Sequence, residues 1–164
     1  MAISEKVKSE LFNLEVGLSW LAFGEEFGNT PEELARLDKA KWRKAEMLFD
    51  DVQKELKIPP GDPFTVTKAI GDYLTRIGYA KVEVKKLADD IVRYDGVDMI
   101  MIEMARYLNS RGIKIYPQPS NSLFITALRK LCNVDAVDIP LSPEDRAKLS
   151  KNVYQRTWRL VPLS

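Results

Sequence analysis

Three residues near the C-terminus have side chains that suit the binding of a planar or anionic small molecule. Tyr154, Arg156 and Trp158 alternate with polar residues, and this period of two places them on one face of a predicted strand. A guanidinium group between two aromatic rings can hold a carboxylate through paired hydrogen bonds or stack on a planar ligand. Tyr94, on a predicted neighbouring strand, extends this surface. The alternative is structural: the aromatic rings seal the sheet, and the Arg156 stem lies along them.

The segment 99–108, with the sequence MIMIEMARYL, is unusually rich in methionine. Met99, Met101 and Met104 are three of the five methionines in the chain. Because methionine is flexible and polarizable, this composition suits a pocket for apolar ligands of varied shape. We therefore predict that Met101, Met104 and Tyr107 line the apolar part of a ligand site. The competing interpretation is that the methionines fill an irregular core.

Glu103 lies within the same apolar run and is the one candidate for acid–base chemistry. A carboxyl group buried among apolar side chains can act as a proton donor or acceptor. Alternatively, Glu103 faces solvent and pairs with Arg106 or Lys114. The adjacent acidic residues at 25–26, 32–33 and 50–51 do not share a helix face, and the pair at 89–90 fits a turn, so no catalytic residue is assigned from these pairs.

The chain contains no histidine and a single cysteine, and these counts exclude several mechanisms. Without histidine there is no Ser-His or Cys-His nucleophile pair and no imidazole ligand for zinc, haem or a di-iron centre. Cys132 alone cannot form an internal disulfide or a thiolate cage for a metal. We therefore predict no cofactor and no metal, although a metal site made only of carboxylates stays open.

Charge and hydropathy bear on partners and on location. Lys and Arg number 25 against 24 Asp and Glu, so the basic excess typical of phosphate-binding surfaces is missing and no nucleic-acid partner is expected. No uninterrupted apolar run is long enough for a membrane span. Charges at Glu5, Lys6 and Lys8 interrupt any signal-peptide core. The resulting expectation is a cytoplasmic protein.

The spacing of apolar residues predicts an α+β fold. One domain is expected over residues 1–164, with a helical N-terminal part at 1–57 and an α+β part at 64–162. The second part is predicted to form a roughly four-stranded antiparallel sheet with helices covering one face. The predicted helices are 4–27, 31–56, 64–77, 99–109 and one from Ser120 or Asn121 to 131, and the predicted strands are 81–85, 91–94, 134–141 and 153–161.

The first predicted helix is apolar over most of its circumference between residues 11 and 23. Such a helix is either buried in the core or packed against a second subunit. Because a terminal helix seldom has partners on every side within one domain, we predict a homodimer. Its contact is expected to involve Leu11, Phe12, Val16 and Trp20.

Part of the chain resembles a known family. The segments 69–74 (AIGDYL) and 78–84 (GYAKVEV), followed by paired strands, two helices and 134–139 (VDAVDI), resemble 4-vinyl reductase-type domains, also called hydrocarbon-binding domains. This superfamily is similar to subunits of the TRAPP vesicle-tethering complex. The chain departs from it in having only Cys132 where members often carry several cysteines, and PQPSNS at 117–122 in place of a glycine-rich segment.

The resemblance implies a dimer that packs helices on an antiparallel sheet and binds small apolar or tetrapyrrole-like molecules, often as a sensor. The leading hypothesis is therefore a metal-free, ligand-binding sensor or regulatory domain for an apolar or amphipathic molecule. Two other hypotheses stay open. One is an interaction module that acts through the N-terminal helix, and the other is an enzyme that uses Glu103.

Overall fold

The computed structural model describes residues 5–27, 30–99, 110–112, 119–148 and 152–163. The predicted helix at 99–109 therefore lies outside the described residues except for Met99. The candidate ligand residues Met101, Met104 and Tyr107 and the candidate acid Glu103 fall in the same gap. Two compact units are present, one formed by Met1–Lys44 and Ile100–Gln118 and the other by Ala45–Met99 and Pro119–Ser164.

The first unit contains helix α1 (Glu5–Phe27) and the beginning of helix α2 (Pro31–Leu56). Helix α2 starts with a capping box formed by Thr30 and Glu33. The Glu33 backbone N–H donates to Thr30 Oγ1 at 3.2 Å, and the Thr30 N–H donates to Glu33 Oε2 at 3.0 Å. Since Pro31 has no backbone N–H, this helix start leaves three N–H groups to satisfy, and two of them thus find acceptors.

The second unit begins with the remainder of α2, which buries Ala45, Phe49 and Val52. The connection after this helix, with Pro59, Pro60 and Gly61, is fixed at both ends. The Gln53 side chain bonds the backbone N–H and C=O of Ile58, and the Gly61 N–H donates to the Leu131 carbonyl at 3.2 Å. The proline-rich corner is therefore part of the second unit.

Helix α3 (Pro63–Arg76) follows, capped by Asp62, which accepts the Thr65 N–H at 2.8 Å. This hydrogen bond holds the pKa of the Asp62 carboxyl below its ordinary value. Gly71 lets α3 approach the sheet closely. A Cβ atom at this position would lie 3.0 Å from side-chain methyl groups of both Val82 and Val84.

The remaining elements are the strands β1 (Lys81–Ala88), β2 (Ile91–Val97), β3 (Val134–Ile139) and β4 (Val153–Pro162), and the helix α4 (Pro119–Cys132). The four strands form one antiparallel sheet in the order β1-β2-β4-β3. Helices α3 and α4 pack on this sheet, which confirms the predicted α+β class with helices on the sheet. Of the described helices, none is long and apolar enough to cross a membrane.

Three elements differ clearly from the sequence prediction. Strand β1 continues past the predicted end at 85 to Ala88, and strand β2 continues past the predicted end at 94 to Val97, where Gly96 keeps its place in the ladder opposite Tyr154. A short helix, α5 (Pro143–Lys148), lies between the predicted strands 134–141 and 153–161, where no helix was predicted because Pro143 was interpreted as ending the first of them. Pro143 opens this helix behind a Ser142 cap, whose Oγ accepts the Asp145 N–H at 3.0 Å.

The strand register decides which side chains share a face. Tyr94 pairs with Arg156, and Gly96 pairs with Tyr154. Cross-strand partners in an antiparallel sheet project to the same side. We call this side, with Tyr94, Tyr154, Arg156 and Trp158, the aromatic face; it is the side that α4 covers, because Phe124 of α4 contacts both Tyr94 and Trp158.

Candidate functional site

The aromatic face is built on three rings that are almost entirely removed from solvent. Tyr94 and Phe124 are 0% exposed, and Trp158 is 1% exposed. Their ring centroids lie 4.8 Å apart for Tyr94–Phe124, 5.1 Å for Tyr94–Trp158 and 5.7 Å for Phe124–Trp158, in tilted arrangements. Such contacts are typical of a packed aromatic core. Tyr94 and Trp158 therefore support the site from inside and present no open surface themselves.

A chain of hydrogen bonds leads from this core towards the edge of the sheet. The Tyr94 hydroxyl donates to Asn121 Oδ1 at 2.5 Å, and Asn121 Nδ2 donates to the Tyr154 hydroxyl at 2.9 Å. Arg156 Nε donates to the same Tyr154 oxygen at 2.6 Å, and Arg156 Nη1 donates to Asp138 Oδ2 at 2.9 Å. We call these five residues the polar chain.

The donor and acceptor roles in the polar chain are fixed by chemistry. A guanidinium group only donates, so the Tyr154 oxygen must accept from Arg156. The Asn121 side-chain carbonyl accepts a hydrogen bond from the Tyr94 hydroxyl. The amide nitrogen of Asn121 therefore donates the other hydrogen bond that the Tyr154 oxygen accepts. With two N–H groups directed at its oxygen, Tyr154 must direct its own proton elsewhere. The same residue lies under the Arg156 guanidinium, whose central carbon is 5.3 Å from the ring centroid.

Burial and neighbouring groups shift the pKa values of two members of the polar chain, Tyr94 and Arg156. Burial raises the pKa of the Tyr94 hydroxyl well above its ordinary value, so it stays a donor at neutral pH. Burial alone would lower the pKa of the Arg156 guanidinium. The Tyr154 hydroxyl and the Asp138 carboxylate outweigh that effect and raise it. Arg156 is thus a permanent cation held by two oxygen acceptors.

The Arg156 guanidinium is not fully used by these bonds. Within the described part of the chain, Nε and Nη1 are hydrogen-bonded and Nη2 is not. The Arg156 side chain is 33% exposed, and that of its partner Asp138 is 52% exposed. A planar cation with a free N–H edge at the border of an aromatic core can bind an anionic or polar acceptor group.

Ser120, in the first turn of α4, lies close to two tyrosines with buried hydroxyl groups, Tyr94 and Tyr79. Its Oγ is 3.4 Å from the Tyr94 hydroxyl oxygen. Tyr79 has a buried hydroxyl oxygen for which no described atom forms a hydrogen bond. Burial raises the pKa of Tyr79 to about 12; Ser120 lies near enough to moderate this rise, but its geometry completes no hydrogen bond.

Met99 is the one residue of the methionine-rich segment that the structure describes. It is buried, and its terminal methyl lies over Gly96, where it would be 2.9 Å from an added Cβ. The Tyr94 ring is 3.7 Å from the same position. This methionine fills a notch in the core, as the structural interpretation of the segment expects. Met101, Met104 and Tyr107 stay predictions.

The structure brings Tyr94, Tyr154, Arg156 and Trp158 together on one face, where the sequence placed them. Their role in ligand binding remains a prediction. Sequence reasoning missed Asn121 as a bridge, having treated it only as a helix cap, and missed Asp138 and Tyr79 entirely. Over the ranges that the structure describes, no three acidic or cysteine side chains lie close enough together to hold a metal ion.

Of the predicted dimer contacts, Val16 is half-buried, whereas the side chains of Leu11, Phe12 and Trp20 lie outside the described residues. Comparison with known proteins adds no assignment. No family model matches the chain, and a search of curated proteins gives no match.

Proposed function

We propose that this chain binds a small amphipathic molecule without a metal, as a sensor or regulatory domain in the cytoplasm. One observation carries the proposal: the polar chain runs from the buried Tyr94 hydroxyl to the partly exposed guanidinium of Arg156. The site thus places a charged group of fixed orientation at the edge of a buried aromatic core. Placed polar groups of this kind give orientation and specificity in small-molecule sites.

The cost of the polar chain supports a role beyond packing. Each buried polar group loses contact with water and must be satisfied by the protein, so a core of apolar residues is the simpler solution for stability alone. Here Asn121 and Tyr154 connect the core to Arg156, and the bond from Arg156 to the Tyr154 oxygen is short at 2.6 Å. The arrangement restricts the guanidinium plane, which is what orientation-specific recognition requires.

The apolar part of the ligand is assigned to Met101, Met104 and Tyr107, as the sequence predicts. The resemblance to hydrocarbon-binding domains supports the same assignment, because that family is associated with small apolar molecules. Turnover is not part of the proposal. Arg156 and Tyr154 would recognise the polar end of the ligand.

Native mass spectrometry of protein purified from its own source tests the proposal, together with thermal shift against a library of amphipathic compounds. We expect a retained small molecule or a stabilising compound. Arg156→Ala should remove most of the stabilisation. Arg159→Ala is the matched control, because Arg159 belongs to the same strand but projects from the opposite face. The absence of any retained or stabilising compound would overturn the proposal.

A second candidate function is a homodimeric interaction module that uses α1. It is favoured by the exposed aromatic residues Phe23 and Phe27, which are 49% and 48% exposed and whose rings stack at 6.2 Å. Residues 12, 16, 20, 23 and 27 follow a spacing that places them along one side of a helix. A second copy of this chain would bury that stripe.

Sedimentation velocity tests the second candidate. Replacing Phe12, Val16 and Trp20 with serine should convert a dimer into a monomer, and so should the double substitution Phe23→Ser with Phe27→Ser. Met47→Ser is a suitable control, because Met47 is an exposed apolar residue of α2 in the other unit. An unchanged sedimentation coefficient in a folded variant would remove α1 as the interface.

A further inference from the structure

We infer that the polar group recognised at this site is a carboxylate, which binds the Nη2 end of Arg156 in competition with Asp138. The inference rests on the proposed function and names the chemical class of its ligand: a monocarboxylate with an apolar tail. It comes from the way in which the guanidinium is held, and from a contrast with a second arginine–aspartate pair in the same unit.

Arg156 is held in a way that leaves one end of its fork for a ligand. Tyr154 accepts the Nε hydrogen, and Asp138 contacts Nη1 with one oxygen. Nη2 has no hydrogen-bond partner among the described residues, and a third of the side chain is exposed. The two oxygens of a carboxylate match the planar edge formed by adjacent guanidinium nitrogens.

Arg129 and Asp135 show what a purely structural pair looks like in this protein. Arg129 Nε and Nη2 donate to the two oxygens of Asp135, both at 2.9 Å, and Asp135 also accepts a backbone N–H. This pair is bidentate and uses the whole edge of the arginine fork. The Arg156–Asp138 pair uses one oxygen and one nitrogen, so its aspartate is the weaker partner and can be displaced.

Asp138 acts as an internal substitute for the ligand carboxylate. It comes from the edge strand β3, and half of its side chain is exposed, so releasing it from Arg156 costs little. An ammonium group at this position would face the Arg156 cation, and a hydroxyl group would accept one hydrogen bond without carrying a compensating charge. A carboxylate brings a full negative charge and a second acceptor oxygen, which neither of these groups has.

Isothermal titration with tail-matched compounds tests the inference on the full chain. The probes are octanoate, octan-1-ol, 3-phenylpropionate and 3-phenylpropan-1-ol. At least one acid should bind about tenfold more tightly than its alcohol, as expected for a charge-assisted pair. Arg156→Lys should reduce that preference to about the level of the alcohol, because lysine has no planar fork.

Asp138→Asn should change the affinity for the acid in the opposite direction from Arg156→Lys. Removing the competing charge should tighten binding of the acid about threefold or more and leave the alcohol unchanged. Asp135→Asn is the matched control on the same strand and should change neither. This pair of variants keeps the test valid if Arg156→Lys fails to fold, as judged from its near-ultraviolet circular dichroism.

The outcomes separate the two proposals. Equal binding of acids and alcohols, or no gain in Asp138→Asn, would overturn the carboxylate inference and leave the amphipathic-ligand function standing. Binding of no probe, combined with the failure to find a retained or stabilising molecule, would overturn the function and the inference together. Preference for the acids that Arg156→Lys abolishes and Asp138→Asn strengthens would support both.

Discussion

Both faces of the sheet carry networks of arginine and aspartate side chains, but the two networks differ in burial. On the aromatic face, Arg156 and Asp138 belong to a chain that reaches a fully buried tyrosine. On the opposite face, which we call the charged face, Asp95 accepts from Gln155 at 2.6 Å and from Arg93 at 3.1 Å. Strand β2 shows the separation residue by residue, since buried and half-buried side chains alternate along it. What each network can do is decided by its burial.

The difference has a physical cause. The charged face has an exposed part, where the Glu83 side chain is 66% exposed, and a part-buried one, where Asp95 is 14% exposed. Bonds at the exposed part can be exchanged for water, so each of them adds little to stability or orientation. Groups in the polar chain cannot make that exchange at their buried end, so each one fixes its neighbour. This is why the aromatic face can orient a guanidinium group, whereas the charged face carries ion pairs and hydrogen bonds between neighbouring strands.

The largest effect is expected where the aromatic face is most deeply buried. Trp158→Ala should lower the free energy of unfolding by about 3–5 kcal/mol, because a buried ring of this size leaves a cavity. Its neighbour Thr157, on the charged face, is the matched site, and Thr157→Ala should cost less than about 1 kcal/mol. Urea denaturation followed by circular dichroism measures both. Similar losses at the two positions would contradict the assignment of faces.

The next effect separates the two buried tyrosine hydroxyls. Tyr94→Phe removes the donor to Asn121 and should cost about 1–2 kcal/mol of unfolding free energy, because a partly buried acceptor loses its bond. Tyr79→Phe should be neutral or stabilising, since no described atom bonds its hydroxyl. The measurement is the same denaturant titration. An equal loss in both variants would show that the polar chain contributes nothing specific.

Alkaline pH should reveal the buried tyrosines in another way. Tyr79 has a pKa of about 12 in the folded chain against 10.0 for an ordinary tyrosine. Below pH 10 both folded and unfolded chains hold the proton. Between pH 10 and 12 the unfolded chain releases it first, so the free energy of unfolding falls as pH rises.

Comparing unfolding at pH 9 and pH 11 tests this dependence. Tyr79→Phe should lose less stability over this interval than the unsubstituted chain, because one of the groups responsible is gone. Tyr94, whose pKa is also raised by burial, should account for part of the remainder. If Tyr79→Phe and the unsubstituted chain lose the same unfolding free energy between pH 9 and pH 11, the Tyr79 hydroxyl is exposed to solvent in the folded chain.

Sequence reasoning succeeded where a rule of spacing decides the answer. Period-two alternation places Tyr154, Arg156 and Trp158 on one side of β4 whatever the partner strand is. The predicted start of α2 at residue 31 is right, because Thr30 and Glu33 lie within one turn and form a capping box. In each case the relation between the residues is local, so tertiary packing does not alter it.

The missed parts of the site depend on long-range pairing. Asp138 reaches Arg156 because β3 returns to pair with β4 at the edge of the sheet, an order that residue spacing does not specify. Asn121 bridges two tyrosines only because α4 crosses the aromatic face at its N-terminal turn. Helix α5 was missed for a different reason: Pro143 was interpreted as a strand breaker, although proline also suits the first turn of a helix.

The smallest effect is expected on the charged face. Lys85 pairs with Glu83 at 2.8 Å and lies 3.7 Å from Asp95, and its side chain is 38% exposed. Lys85→Gln should change the free energy of unfolding by less than about 1 kcal/mol, and most of that change should vanish in 1 M salt, because exposed ion pairs are screened. The loss in Tyr94→Phe should persist at the same salt concentration. A salt-resistant loss at Lys85 as large as that at Tyr94 would mean that the charged face is covered in the folded protein, and that burial does not distinguish the two networks.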